Sequence, residues 1–410
     1  MTAAVRVLTF TSLYPSSTRP RHGIFIESRL RRLSSRGGLQ SRVIAPVPWF
    51  PFRGDYWGEY GRMAATPRHE RRADIEVSYP RYPMLPRIGM PLQPSAMAWS
   101  GLRAAQAMRE RGEEFDLIDA HYLYPDAVAA APIARQLGCP FIATARGSDV
   151  NVIAQMPGPR ERILRALEAS AAVVAVSSAL KASLVGMGVP ATRITVLRNG
   201  VDTELFQPVV RATARRELGL PIDARIIACV GNLVPGKRTD LALEAAARVK
   251  DSTIIFVGRG GERARLERLG RELSMTQRMQ FFDEMPQERL CRVYSAADVL
   301  VLASEREGWP NVLLESVACG TPVVAFNVGG VPEILTDPAA GIIVRGGHNA
   351  GLLAEALSAL FAHPPARDAV RAAAVRFSWE PVLEAQLALY RRVAGMPAAT
   401  DEPAELAVRA

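Results

Sequence analysis

The stretch Glu307-Gly-Trp-Pro-Asn-Val-Leu-Leu-Glu315 sets two carboxylates eight positions apart across a Gly-Trp-Pro turn that opens onto an apolar helix. Pro310 suits the first turn of that helix, and Gly320, ahead of Thr321-Pro322, suits its C-terminal stop. Glu307 and Gly308 then lie in the preceding loop, and Glu315 falls a little over one turn into the helix. Between them the backbone N–H groups of Asn311, Val312 and Leu313 have no partner inside the helix and are expected to point at a ligand. Val312, Leu313, Leu314 and Val317 make the surroundings of Glu315 apolar, so its charge needs a partner.

A second segment reads the same way. Gly231-Asn-Leu-Val-Pro-Gly-Lys237 follows the apolar run 226–230 and precedes a helical pattern over 241–250. A glycine-framed loop aimed at a helix N-terminus favours an anion, and Lys237 adds a full charge. The chain holds three lysines (Lys181, Lys237, Lys250) beside 47 arginines, so a lysine in this loop hints that a compact point charge is wanted there. A cation for phosphates and a carboxylate that bridges vicinal hydroxyls are what a nucleotide-diphosphate sugar needs. Glu315 is the candidate ribose clamp, and Glu307 the candidate for the sugar.

Outward from these segments, short Val/Ile-rich runs alternate with helical patterns, which predicts βα units around parallel sheets. Strands are expected at 5–10, 42–46, 117–120, 140–144, 172–176 and 194–197, then at 226–230, 253–257, 279–282, 299–303, 323–327 and 342–344. The fold class is α/β: two doubly wound, Rossmann-like domains, 1–200 and 201–375, with carboxyl strand ends facing a common cleft. A last helix over 376–395 is expected to pack back on the N-terminal domain, and 396–410 to be a flexible tail. The stretch 47–94, rich in Pro, Arg and aromatics, reads as an irregular insertion of the kind that carries specificity.

Composition narrows the class. With 410 residues, 49% hydrophobic and 22% charged, the chain is ordinary globular material of two-domain size. No apolar run approaches the length of a membrane span, and the N-terminus alternates like a strand, so a cytoplasmic protein is expected. Cys139, Cys229, Cys291 and Cys319 are scattered and read as small buried hydrophobes. His22, His69, His121, His348 and His363 have no metal-ligand spacing, and no Asp-x-Asp occurs; no metal site and no required cofactor are expected. Residues 1–200 hold 26 basic against 15 acidic side chains, the rest 24 against 26. Clusters at Arg29/Arg31/Arg32/Arg36 and Arg68/Arg71/Arg72 carry much of that asymmetry and suggest an anionic partner. No nucleic-acid motif accompanies the charge; an anionic membrane surface fits it better.

Together these motifs resemble those of the retaining glycosyltransferases of GT-B fold, family 4 (glycosyltransferase group 1), over nearly the whole chain. Glu307–Glu315 is similar to the family's E-x7-E, and the Gly231 loop to its G-R-L-x-x-x-K-G. Arg198-Asn-Gly-Val-Asp202, Ser177-Ser-Ala-Leu-Lys181 and Gly329-Gly-Val-Pro-Glu333 resemble further blocks. The resemblance implies sugar transfer from a nucleotide donor of UDP or GDP type, with retention and without an essential metal. It implies that Gly231 and Lys237 neutralise the diphosphate, that Glu315 holds the ribose and that Glu307 contacts the sugar. Gly23, in Arg21-His-Gly-Ile-Phe25, is similar to the glycine whose backbone approaches the phosphates, and His121 to the histidine near sugar and acceptor. Two departures stand out. Asn232 replaces the loop arginine, and Ala145-Arg146-Gly-Ser-Asp149 stands where many relatives read His-Gly-x-Asp; Arg146 is the candidate replacement charge and Asp149 goes with it. Leu13-Tyr-Pro-Ser-Ser17 and Arg146-Gly-Ser-Asp149 also resemble an exopolysaccharide and teichuronic-acid-type subgroup. The function so implied is transfer to a glycan or lipid-linked acceptor in cell-surface polysaccharide synthesis; the Arg-rich first half suits a polyprenyl-linked acceptor at the inner membrane face.

Three rival readings stay open. A nicotinamide oxidoreductase would use Val257-Gly-Arg-Gly-Gly261, but Arg263 stands where a third glycine belongs. A sugar-nucleotide 2-epimerase shares the fold, and a non-catalytic binder of nucleotide sugars would share the motifs.

Overall fold

The computed structural model describes residues 4–84 and 89–397, so the tail expected over 396–410 lies, from 398 on, outside the described residues. The chain forms two compact units. One runs to Arg198 and takes the chain up again from Glu380; the other is Asn199–Trp379.

The first unit is built on an eight-stranded sheet in the order Ile194–Val196, Ala172–Ala175, Phe141–Ala145, Leu117–His121, Val5–Phe10, Leu39–Ile44, Ile75–Ser78 and His69–Arg72. All pairings are parallel except the last. Strands such as Val5-Arg-Val-Leu-Thr-Phe10 are buried at nearly every position, as a sheet covered by helices on both faces demands. Helices Ile24–Ser35, Gln93–Glu110, Val128–Leu137 and Pro157–Ala169 supply the cover.

Two of these strands lie in the stretch 47–94, which corrects its reading as an irregular insertion. Ile75–Ser78 extends the parallel sheet beside Leu39–Ile44, and His69–Arg72 folds back on it through a two-residue turn. The turn residues Ala73 and Asp74 have φ of 46° and 66°, the geometry that suits a tight hairpin. Without a glycine or asparagine there, and with strands of four residues, the pattern is below what periodicity detects.

In the second unit six parallel strands run Met279–Phe282, Ser252–Val257, Arg225–Val230, Val299–Leu302, Val323–Phe326 and Gly341–Val344. Its core gathers Ile254, Phe256, Val301 and Val324 from the sheet with Leu243 and Ala246 of helix Thr239–Arg248 and Leu353 and Leu357 of helix Ala350–Ala362. The four cysteines carry free thiols, and burial pushes that of Cys229 up to about 12.

In the first unit a buried carboxylate ties two strand ends together. Asp126 accepts from Ser12 N at 2.7 Å, Ser12 Oγ at 2.9 Å and Thr11 Oγ1 at 3.2 Å, joining the chain after Val5–Phe10 to the turn after Leu117–His121. Burial, only partly offset by these bonds, pushes its carboxyl up to about 7. The folded state therefore holds a proton that the unfolded chain has released, a contribution present below pH about 4 and lost as pH rises through about 7. Asp126→Asn should flatten the pH dependence of unfolding free energy between about pH 4 and 7, a difference on the order of 3 kcal/mol. Urea melts of both proteins across that window check it; parallel curves would show that Asp126 does not titrate there.

Candidate functional site

Each sheet reverses its strand order once. In the second unit the chain lays down Arg225–Val230, adds Ser252–Val257 and Met279–Phe282 on one side, then crosses to Val299–Leu302 on the other. Loops leaving the two strands at the reversal diverge at their carboxyl ends, the usual ligand position in open α/β sheets. The loop after Arg225–Val230 carries Lys237, and the loop after Val299–Leu302 carries Glu307. Lys237 Nζ donates to Glu307 Oε1 at 2.6 Å, with the lysine one-third exposed and the carboxylate only 9% exposed. Glu305 N donates to Gly236 O at 3.0 Å and holds the loops together. Gly329 must be glycine: its φ is 49°, and a Cβ would stand 1.9 Å from Glu307 O.

The neighbouring Gly258-Arg-Gly260 is used for packing. A Cβ at Gly258 would meet Gly231 O at 2.1 Å and one at Gly260 would meet Leu233 O at 2.0 Å. These glycines therefore let two loops lie backbone to backbone, which accounts for the dinucleotide-like pattern without a dinucleotide. Gly231 has φ 146°, and its N–H donates to Val257 O at 3.0 Å; Asn232 is exposed. After Lys237, Arg238 adopts a left-handed conformation (φ 47°) where the motif has its last glycine. Its guanidinium reaches Asp240 at 3.1 Å and Glu305 at 3.4 Å.

Helix Asn311–Ala318 positions Glu315, whose Oε2 accepts from Tyr294 OH at 2.7 Å. Burial, then the Glu315 charge, pushes the fully buried Tyr294 phenol well above its ordinary value, so it stays a donor. This is the partner that the apolar surroundings of Glu315 called for. Pro310 stands just before the helix as its cap, and Gly320 ends it with φ 73°. The expectation for three outward N–H groups needs correction. Leu313 N donates to Pro310 O at 3.1 Å, and the Leu313 side chain is fully buried, because the first turn closes on the proline carbonyl. Asn311 Oδ1 accepts from Asn199 Nδ2 at 3.0 Å, and Val312 is half-buried. Gly308 is buried beside Trp309, whose indole Nε1 donates to Asn199 O at 2.9 Å and pins the turn.

The first unit gathers its polar groups at its own reversal, between Val5–Phe10 and Leu117–His121. Gly23, with φ 71°, caps helix Ile24–Ser35, and a Cβ would collide with Leu13 O at 2.1 Å. His121 is 1% exposed, so the expected contact with sugar and acceptor is not one its ring makes as folded. Arg146 Nη2 donates to His121 Nδ1 at 2.6 Å, and His121 Nε2 lies 3.1 Å from Asp119 Oδ2. Burial lowers the affinity of the imidazole for a second proton, which Asp119 opposes and Arg146 reinforces. Because Nδ1 accepts from Arg146, the ring proton falls on Nε2, the nitrogen on the Asp119 side. Burial pushes the Asp119 carboxyl up, but His121, Tyr390 and Arg146 together hold it below the ordinary carboxylate range.

Asp119 is held in turn from the far end of the chain. Tyr390 OH donates to Asp119 Oδ2, Gln386 Nε2 donates to Tyr390 OH at 2.5 Å, and Arg29 Nη1 donates to Gln386 Oε1 at 3.0 Å. Arg29 Nη2 also reaches the carbonyls of Leu197 and Arg198. Helix Glu380–Val393 thus belongs to the His121 constellation. Asp149 does not face a ligand: both its oxygens accept backbone N–H groups, from Leu123 at 2.9 Å, Arg146 at 3.1 Å, Gly147 at 2.7 Å and Val150 at 3.1 Å. It shapes the loop that presents Arg146, whose guanidinium also lies over the Phe25 ring at 5.0 Å.

Sequence reasoning misses Tyr294, Trp309, Arg238, Asp119, Gln386 and Tyr390 as members of these constellations. Trp309 has a signal in the Gly-Trp-Pro turn itself; Tyr294 and Tyr390 have none. Among the described residues no group of three or more His, Cys, Asp or Glu side chains gathers as a metal site.

Tyr390→Phe removes one charge-assisted bond from a buried carboxylate, so it should cost about 2 kcal/mol of stability and raise the Asp119 pKa. Chemical denaturation with NMR titration of His121 checks both; an unchanged His121 titration would detach the C-terminal helix from the site.

Residues 210–377 match the family model "Glycosyl transferases group 1", and residues 61–205 match "Glycosyltransferase Family 4". A D-inositol 3-phosphate glycosyltransferase of Mycobacterium leprae (strain Br4923) is 40% identical over 221 residues, 51% of each chain, so the match spans about half the length of that relative. The protein of the same description from Mycobacterium bovis (strain BCG / Pasteur 1173P2) is 34% identical over 333 residues, 76% of this chain and 68% of that one. Among solved structures, sucrose-phosphate synthase from Thermosynechococcus elongatus superposes with TM-score 0.80 at 21% identity, covering 96% of this chain and 99% of that one. Anabaena HepE, in complex with UDP-glucose, gives 0.69 at 18% identity, covering 94% and 98%. With its two α/β units, its switch-point Lys237–Glu307 pair and these matches, the chain belongs to the group 1 glycosyltransferases, family 4, of GT-B fold.

Proposed function

We propose that this protein transfers a sugar from a nucleotide-diphosphate donor to a phosphate-bearing acceptor, with retention at the anomeric carbon and without an essential metal. The observation that carries the reading is the Lys237–Glu307 ion pair at the switch point of the second sheet, with Glu315 on the helix that follows. In this reading the diphosphate takes Lys237 from Glu307, and the released carboxylate accepts hydroxyls of the donor sugar. Lys237, the Gly231 loop and the helix N-terminus at Asn311 and Val312 do the neutralising work a metal would otherwise do. Glu315, oriented by Tyr294, accepts the ribose hydroxyls. In the first unit Gly23 brings backbone to the phosphates, and Arg146 acts there directly or by orienting His121.

For the acceptor, the basic first unit favours a phosphate group. A polyprenyl-diphosphate-linked or other lipid-linked glycan at an anionic membrane surface is the first reading, in cell-surface polysaccharide synthesis. A soluble inositol phosphate is the second, favoured by the description of the mycobacterial relatives. Comparing turnover on the two acceptor classes separates them.

A thermal-shift panel of UDP, GDP, ADP, CMP and NAD tests the donor site, with UDP first because a neighbour of this fold was solved with UDP-glucose. A nucleotide at about 100 times its Kd stabilises by roughly 2.7 kcal/mol. The expected result is a response to one nucleoside diphosphate, insensitive to EDTA and lost in Glu315→Ala; a response to NAD alone would move the donor site elsewhere. Arg146→Ala separates that residue's two roles. A Kd for the nucleotide raised as far as in Lys237→Ala assigns it a phosphate; an unchanged Kd with slower turnover assigns it to His121.

A further inference from the structure

The first unit exposes an aromatic cluster that neither its core nor its candidate site uses. From strand Val47–Pro48 to helix Gly58–Ala65 the chain reads Trp49-Phe-Pro-Phe-Arg-Gly-Asp-Tyr-Trp57. Tyr56 is 90% exposed, Trp49 59%, Phe52 51% and Trp57 43%. Four large aromatics so exposed within nine residues exceed the scattered apolar side chains of an ordinary surface and mark an interaction site.

The cluster is a built feature. Phe52 stacks on Trp57 at 4.7 Å, Tyr56 meets Trp57 edge-on at 5.2 Å, and Phe50 packs beside Phe52 and Trp57 at 5.9 and 6.1 Å. Gly54 and Gly58 take φ of 102° and 57°, and Gly61 has room for no Cβ because Gly54 O would lie 2.0 Å away. Trp49 N donates to Tyr82 O at 2.8 Å, anchoring the loop to strand Arg81–Tyr82. On the other side of Tyr82, Gln93 Nε2 donates to its hydroxyl at 3.0 Å, at the start of helix Gln93–Glu110. Leu92, 68% exposed, precedes that helix, and the helix carries Trp99, 55% exposed, with the Arg103 guanidinium 5.1 Å over its ring.

We propose that this surface docks the protein on an anionic lipid bilayer, with the aromatic rings seated in the interfacial layer. Trp and Tyr are the side chains that partition to that layer, and arginine beside them meets phosphate headgroups. The local charge is arranged for it. Arg62 pairs with Glu59 at 2.6 Å and lies 3.6 Å from Asp55, Arg53 offsets the remaining negative charge of that loop, and Arg68 and Arg71 (Arg71 paired with Asp74 at 3.3 Å) are exposed nearby in the sequence. A saccharide platform fits less well. One face of Trp57 is covered by Phe52, no Asn or Gln lies between Val47 and Arg68, and Arg62 pairs with both carboxylates of the loop. Among the described residues no helix is long and apolar enough to cross a membrane. The proposal rests on the proposed function only in placing an acceptor at a membrane.

The test uses the full chain with vesicles of phosphatidylcholine alone and with phosphatidylglycerol added, carrying brominated acyl chains in a parallel set. Trp309 and Trp379 are buried, 6% and 7% exposed, so quenching reports Trp49, Trp57 and Trp99. The expected result is flotation with the anionic vesicles, blue-shifted and quenched tryptophan emission, and binding that survives high salt in part. Trp49→Ser combined with Tyr56→Ser should lower partitioning about tenfold with an unchanged Tm, since both side chains are exposed. Arg53→Ser with Arg71→Ser should remove only the salt-sensitive share. Flotation confined to low salt without quenching, equal partitioning of the aromatic variant, or emission that answers a soluble oligosaccharide but not vesicles would each overturn the proposal. Nucleotide thermal shifts are recorded on the same variants without lipid. Retained shifts beside failed flotation leave the sugar-transfer reading standing, and lost shifts in the parent protein would sink that reading alone.

Discussion

A carboxylate only 9% exposed needs a compensating charge at contact distance, and much of the second unit follows from how Glu307 obtains it. The cation is Lys237, at 2.6 Å, and the two residues are 70 positions apart on loops from neighbouring strands. These two strands are the pair at which the strand order reverses, so Lys237 and Glu307 meet across the crevice their diverging loops leave, and the pair and the switch point are one feature. Close approach also demands missing side chains. Gly329 lets its loop lie against the Glu307 carbonyl, and Gly258 and Gly260 do the same for the Gly231 loop. The glycines therefore serve to bring backbones together, and the charged pair is what that proximity produces.

This arrangement is legible in the sequence to the extent that it is local. The Glu307–Glu315 spacing locates a loop and a helix, and Gly231–Lys237 locates a strand-to-helix turn. Parallel strands buried on both faces leave continuous Val/Ile runs that stand out in a single chain. Glu315 announces by its neighbours that a partner is required. The partner itself is not legible, because Tyr294 lies on a different helix, 21 positions upstream. The same limit is sharper in the first unit. Asp119 and Tyr390 are separated by 271 positions, and nothing in the apolar periodicity of the last helix distinguishes its core residues from one that reaches a carboxylate.

Charge composition misleads in a way that physical chemistry explains. The basic clusters of the first unit suggest a face for an anion, yet several of those arginines are structural. Arg29 is 1% exposed and bonded to Gln386 and two carbonyls. Arg36 pairs with Glu384 at 3.1 Å, and Arg72 with Glu27 at 2.7 Å. An excess of Arg over Asp and Glu counts all of them alike. Arginine is the cation best suited to bridge carbonyls and carboxylates inside a fold, so an arginine-biased chain overstates its surface field.

The consequence for surface recognition is a change in which force does the holding. With part of the positive charge turned inward, a purely electrostatic contact would be weak and screened within about 8 Å at physiological salt. Apolar burial is not screened. Trp49, Phe52, Tyr56 and Trp57 expose large aromatic area on a loop whose glycines and ring stacking preserve its shape, so little ordering is needed when a surface covers it. The exposed arginines then set which surface is met, and the rings set how firmly it is held.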